Sequence, residues 1–574
     1  MSTTDPGRRS AASRRRRLPS LLLLLAAALC AAACPAPPDH NPPPGTVAAR
    51  PAGAAAGWFP DAFDSDLALS LVAFLEQRFR EPGNAPYREA LDELEARLRD
   101  AGFGDDPALR LERWTLHESA ATWEPLAATL EIVAPEPEPL LSFVSGADRD
   151  RTMLLIGSPG TEQPLEAELV EEGEGDPKGR ALLARGVPEE SYARLARDHP
   201  AFILFRPDAR WEGPVARDDA IPFAAVPARE DDPPAVRLSR RAERRLRERL
   251  DKGAPVVLRL AAAVRLDRGP VQMLHAEIRG GHLPGLAFAA HLDEPGAEDN
   301  ASGVAVAAGL AQGIAAALHR VETPPPNRSL HFLFGPELDH ADEAGRRLGR
   351  SLGWAVALDQ VGRPPGPAGA ADATRALVER APDPSLRWPA GVGPGSGWLG
   401  STPTAGGDWS DAPASFLPDA LVALLRAAGG DWTSHPFEGG SDHVPFLSYG
   451  VPSALVWKFP DPTYHTSLDR LRPGTIDAGE LRRVGDAMLE LARSLAWEDG
   501  SVVAAAAASA AATRLAFLAG GPGDGCRAWA AWIERAAGDL ERVLGPLATV
   551  EPTAGTLRGL RQDVQAGRAA CPPP

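Results

Sequence analysis

The chain has 574 residues, 44% of them hydrophobic and 24% charged, with a formal net charge of -17 at pH 7. That length gives room for two to four domains and a large core, and that hydrophobic share excludes a chain disordered throughout. The acidic balance excludes nucleic acid and anionic membrane surfaces as natural partners, because it repels both.

In chain order, Arg8, Arg9 and Arg14 to Arg17 precede a short apolar run ending at Leu29, followed by Ala31-Ala32-Ala33-Cys34. A basic, then apolar, then small-residue order is that of a bacterial secretory signal. The apolar run is too short and too Ala-rich for a membrane span. The small residues before Cys34 resemble a lipobox, with Ala31 standing where Leu is usual. Residues 1–34 therefore read as signal peptide and lipobox, Cys34 as a lipid-anchor site, and 35–57 as a Pro-rich tether. A plain signal cut near Ala33 is the alternative. Either way the protein is expected to be exported, lipid-anchored in the cell envelope or else periplasmic or secreted. The sequence contains no CxxC, which argues against a thiolate metal site or a redox centre. Cys526 and Cys571 would remain in the mature chain, and an oxidising compartment would allow them to pair.

Apolar spacing predicts helices over 65–80 and 87–101 and strands over 109–132, within an amino-terminal part at 58–160. The next region, 161–264, predicts strands at 165–171, 180–185, 201–206, 221–226 and 256–263 and a charged helix at 239–252. Its GDPKGRALLARG, IPFAAVP and LDKGAPVVLRL segments resemble the protease-associated domain, a small inserted β-rich unit. From 265 to 500, strands at 272–278, 285–291, 328–334, 354–359 and 453–458 alternate with helices at 302–319, 340–350, 415–427 and 477–496. Such alternation predicts an α/β domain with a mainly parallel central sheet flanked by helices. The Gly-, Pro- and Asp-rich stretch 363–411 reads as a long loop or lid near a site, and 501–574 as a helical extension.

The polar residues of the α/β region fall at strand ends, where sites form in open sheets. In LAFAAHLDEPGAEDNASG an apolar strand leads to His291, Asp293, Glu294, Glu298, Asp299 and Asn300 before an apolar helix. A His–x–Asp pair followed by a further Asp suits a zinc ion, with Asp293 able to hold the ring N–H that His291 does not use. The same residues also suit a solvated turn capping a helix. Glu337 stands just beyond the strand in SLHFLFGPEL, Asp359 at the carboxyl end of the one in WAVALDQVG, and Tyr464-His465 lie in DPTYHTSLDRL. His443, in GGSDHVPFLSYGVP, reads as a loop histidine making ordinary hydrogen bonds.

The order HLD, EDNASG, FGPEL, ALDQVG, GGSDHVPFLSYGVP, YHTSLD over about 286–495 resembles metallopeptidase family 28, the co-catalytic zinc exopeptidases. The resemblance implies the zinc-exopeptidase fold and a peptide substrate hydrolysed from its amino terminus. It implies His291 and Asp359 as ligands of one zinc, Asp299 as the bridging carboxylate and His465 as a ligand of a second. It further implies Glu337 as general base, Asp293 as the carboxylate orienting His291, and Tyr464 as a stabiliser of the developing oxyanion. One departure stands out. Where the family carries two consecutive Glu, this chain has Glu337-Leu338, and Leu338 offers no donor. The expectation is one tight zinc and a weak or absent second, with Asp339 or His340 as possible substitutes. A decayed, lipid-anchored binding module on the same fold, or a related amide hydrolase or cyclase, remain as alternatives.

Overall fold

The structure is a computed structural model that describes residues 63–144, 149–207, 218–281, 283–319, 325–366, 373–384, 411–518 and 523–571. The signal, lipobox and tether, and most of the 363–411 stretch, lie outside the described residues.

The larger lobe's sheet is built from β7 (Val257–Ile278), β8 (Leu283–His291), β9 (Arg328–Gly335), β10 (Leu352–Leu358), β11 (Arg375–Glu379), β12 (Trp432–His435) and β13 (Ser453–Phe459). Their order is β12-β11-β13-β10-β8-β9-β7. The four central strands β9, β8, β10 and β13 run parallel, while β7 and β11 join antiparallel. Alternate residues serve two helical layers, as the two-residue strand period requires. Leu286, Phe288 and Ala290 face one core with Phe332 and Val356, while Ala287, Ala289 and Ala355 face another with Phe446. The first layer holds α1 (Ser65–Leu75), α2 (Ala85–Asp100), α5 (Ala301–Leu318), α7 (Leu417–Ala428) and α9 (Ala478–Ala496), and the second α6 (Asp339–Leu348) and α8 (His443–Ser448). The α5 helix is apolar enough to cross a membrane, but it lies in the core, with 78% of its length buried. Its sequence is apolar all round because it is covered all round.

A second lobe comprises β2 (Glu138–Val144), β3 (Leu165–Glu171), β4 (Ala181–Ala184), α3 (Pro188–Leu195), β5 (Phe202–Phe205), β6 (Ala235–Arg237) and α4 (Arg240–Leu250). It has its own cores around Leu258, Phe202 and Leu183, and around Tyr192 and Phe205. The lobes share one hydrogen-bonded ladder. β1 (Leu109–Ala134) pairs antiparallel with β7 from Leu109↔Ile278 to Ala134↔Val257. The expected strands 256–263 and 272–278 are thus one strand, and the boundary placed at 264/265 falls inside it. The expected strand at 221–226 is instead a strap making isolated bridges at Pro222 and Ala225.

The carboxyl-terminal helices α10 (Ser501–Leu518), α11 (Gly523–Leu544) and α12 (Thr553–Ala570) continue the first core, to which Val503, Trp529, Ile533 and Leu557 contribute. Cys526 and Cys571 form a disulfide across them. Fully buried Arg328 ties the lobe's parts together, donating to the carbonyls of Leu495, Pro284 and Val543.

Candidate metal centre and active site

The carboxyl ends of β8, β9 and β10 deliver His291, Glu337 and Asp359 to one place, where one potential ligand atom from each lies within 4.8 Å of the others. His291 Nε2 is 3.4 Å from Asp299 Oδ1 and 3.5 Å from Asp359 Oδ1. Asp299 turns its other oxygen the opposite way, with Oδ2 3.2 Å from His465 Nε2. Asp299 therefore stands between two histidines, one carboxylate oxygen toward each. Asp293 Oδ1 lies 3.5 Å from His291 Nδ1 and accepts the Glu337 N–H at 2.9 Å. The Tyr464 ring stacks on the His465 ring with centroids 3.7 Å apart. The structure thus brings together all seven residues singled out from the sequence.

Local sequence explains why these groups meet. Asn300 caps α5, accepting the Gly303 N–H, while its amide donates to the Leu358 carbonyl beside Asp359. A Cβ at Gly303 would lie 2.1 Å from that carbonyl oxygen, so glycine is needed for the approach. Ser441 Oγ donates to Asp359 Oδ2, and Asp442 accepts the Leu338 N–H. Asp469 accepts the N–H groups of Glu298 and Asp299. The strap 221–223 lies over His465: the Phe223 N–H donates to the His465 carbonyl, and their rings are 4.6 Å apart.

Sequence reasoning missed Glu294. Its Oε2 is 3.3 Å from His465 Nε2, and it groups with Asp299 and His465. Glu294 therefore stands beside the Asp299 and His465 pair expected for a second ion. The suggested substitutes point elsewhere: His340 Nδ1 donates to the Pro336 carbonyl, and Asp339 faces His117. The available signal was Glu294's place three residues after His291, in a loop too short to carry it away. A third group, Glu379, His435 and Glu438, sits where β11 and β12 end. There Glu379 accepts the N–H groups of Glu438 and Gly439 and lies 3.0 Å from His443 Nε2, so His443 has the hydrogen-bonding role expected of it, though it opens α8, buried, rather than lying in a loop.

The donor set fits a divalent cation. His291 Nδ1 and Nε2, Glu294 Oε2 and Asp359 Oδ1 are buried with no hydrogen-bond partner among the described residues. Such atoms are costly unless something else engages them. Burial lifts the Glu337 carboxyl well above its usual range; His291 pulls the other way, and Glu294, Asp442 and Asp359 add to the rise. Burial likewise lifts Glu294 to about 8 against the pull of His291. Carboxylates crowded in this way disfavour ionisation unless a cation joins them. Imidazole with carboxylate is a zinc-type donor set. Burial, with Asp299, Glu294, Glu337 and Asp359 nearby, holds the Tyr464 hydroxyl well above its ordinary value, so it stays a donor.

A parallel-centred α/β sheet thus carries a histidine–carboxylate cluster at the carboxyl ends of its strands. Residues 411–492 match the model of Peptidase family M28. A zinc aminopeptidase from Bacillus subtilis superposes with a TM-score of 0.50 at 17% identity, covering 76% of this chain and 95% of that one. A Peptidase M28 precursor from Shewanella amazonensis superposes with a TM-score of 0.51 at 16% identity, covering 75% and 91%. A search of curated proteins found no match. The resemblance read from the motifs stands: residues 411–492 match Peptidase family M28, and the chain has the fold of these peptidases.

Proposed function

We propose that the protein is an exported zinc-dependent exopeptidase that hydrolyses amino-terminal peptide bonds. The carrying observation is the meeting of His291, Asp299 and Asp359, with buried unpartnered donor atoms, beside Glu337. Held by those three ligands, a zinc ion supplies Lewis acidity toward the scissile carbonyl. Glu337 takes a proton from the attacking water and returns it to the departing amine nitrogen. Asp293 fixes the ring of His291. Tyr464 donates to the oxygen on which negative charge develops. The surplus of carboxylates also suits the α-ammonium of a peptide substrate. The zinc aminopeptidase with this fold from Bacillus subtilis supports the choice of the amino terminus.

The test is amino-acid release from dipeptides and amino-acid amides. Chelator should abolish it, and Glu337→Gln should lower kcat by roughly 10²–10⁴-fold while leaving bound zinc unchanged. Chelator-resistant hydrolysis, or full activity in the variant, refutes the reading. For export, the support is the amino-terminal pattern ending at Cys34 and a disulfide of the kind that persists in oxidising compartments. Labelled fatty acid should enter the protein in cells and be lost in Cys34→Ala; equal labelling of both rejects the anchor.

A further inference from the structure

We infer that Glu294 is a metal ligand, completing with Asp299 and His465 a second cation site that makes the centre binuclear. The inference rests on the peptidase reading and adds a ligand that no motif in the sequence supplied.

Three observations carry it. First, Glu294 Oε2 and Asp299 Oδ2 both face His465 Nε2, at 3.3 and 3.2 Å. These distances are too long for good charge-assisted hydrogen bonds and suit donors surrounding a common centre. Second, Glu294 is only 9% exposed, and its Oε2 has no hydrogen-bond partner among the described residues. A buried carboxylate oxygen aimed at an imidazole nitrogen and a second carboxylate is costly unless a proton or a cation joins them, and a divalent cation suits all three donors at once. Third, the backbone is built to hold Glu294 there. Glu294 and His465 have φ of 69° and 53°, a region that side-chain-bearing residues avoid. The strain is held by buried arginines: Arg80 donates to the carbonyls of Leu292 and Gly296, and Arg151 to that of Pro295. A Cβ at Gly296 would lie 2.1 Å from Asp469 Oδ2 and 2.2 Å from the Asp299 carbonyl oxygen, so glycine lets the loop close this tightly.

Glu294 thus takes over the work that the resemblance assigns to the position of Leu338. The ligand has moved from the loop after β9 to the loop after β8. With two imidazole–carboxylate sets sharing Asp299, zinc fits both sites.

The experiment is metal counting on the full-length mature protein. Apoprotein is titrated with zinc against a chromophoric chelator, and cobalt uptake is followed by visible absorption. Wild type should bind two ions per chain. Glu294→Gln should keep the first and bind the second at least about tenfold more weakly, since even residues one step behind a ligand cost roughly 10–100-fold. Undiminished binding of two ions by Glu294→Gln overturns the inference. Wild type binding a single ion that Asp359→Asn removes overturns it while leaving the peptidase reading intact; wild type binding none defeats both. Should Glu294→Gln fail to fold, a zinc-edge anomalous map of wild-type crystals decides. A peak bonded to Glu294, Asp299 and His465 supports the site, and a peak there without Glu294, or none, overturns it.

Discussion

At the scale of single residues, position depends on groups behind the ligands. Asp469 accepts the N–H of Glu298 at 2.9 Å and of Asp299 at 3.0 Å, one on each carboxylate oxygen. Hydrogen bonds to a charged acceptor are worth about 1.5–3 kcal/mol each. In Asp469→Asn an amide N–H would confront a backbone N–H, freeing the Asp299 segment. Zinc affinity should fall roughly 10–100-fold, as read by chelator competition; an unchanged affinity would remove Asp469 from the account. His291, Glu337 and Asp359 were legible because each is a polar residue at or just past the end of an apolar run, and Asp299 and His465 because of the ordered motifs around them. Glu294 and Asp469 were not, because their roles come from a chain reversal and a contact across 171 positions, which no local pattern encodes.

At the scale of elements, α5, α9 and the central strands were readable from apolar periodicity. The long β1–β7 ribbon was not. Residues 265–269, Arg-Leu-Asp-Arg-Gly, read as a loop between two strands, yet β7 runs straight through them. There the ribbon is open to water on both sides, so its side chains need not alternate. The strap at 221–223 has no periodicity either; its order comes from what it touches. Phe223→Ala removes the ring that packs on His465. Such a ring pair is worth about 0.5–1.5 kcal/mol, so kcat/KM should fall roughly 3–10-fold with thermal stability little changed. Equal kinetics in wild type and variant would show the strap to be a cover alone.

At the scale of the whole molecule, stability should fall in acid for a reason outside the active site. His275 Nε2 and His331 Nδ1 lie 3.1 Å apart on β7 and β9, and both rings are buried. Burial, helped by His331, Arg110 and Arg347, holds His275 well below the usual histidine range, and burial brings His331 down to about 4. Both are therefore neutral when folded, and the unfolded chain binds more protons below about pH 6.5. Their contribution is complete above that pH and lost as pH falls toward 4. Between pH 7 and pH 5 the loss is about 2 kcal/mol for a histidine so shifted. Urea unfolding of chelator-treated protein should show it, with a shallower pH slope in His331→Asn; matching slopes would rule the pair out.

The β1–β7 ribbon bears on how the chain could be shortened. Ala134 and Val257 are partners at the last rung of the ladder, so the chain leaves for the second lobe and returns at one point. In polymer terms, the lobe from β2 to α4 is the tip of a hairpin, and closing that tip costs little more entropy with a long excursion than with a short one. A two-residue turn would bridge the same gap. The sheet that carries His291, Glu337 and Asp359 would lose no strand by such a shortcut. His465 would lose its roof, because Phe223 reaches it only by way of that excursion.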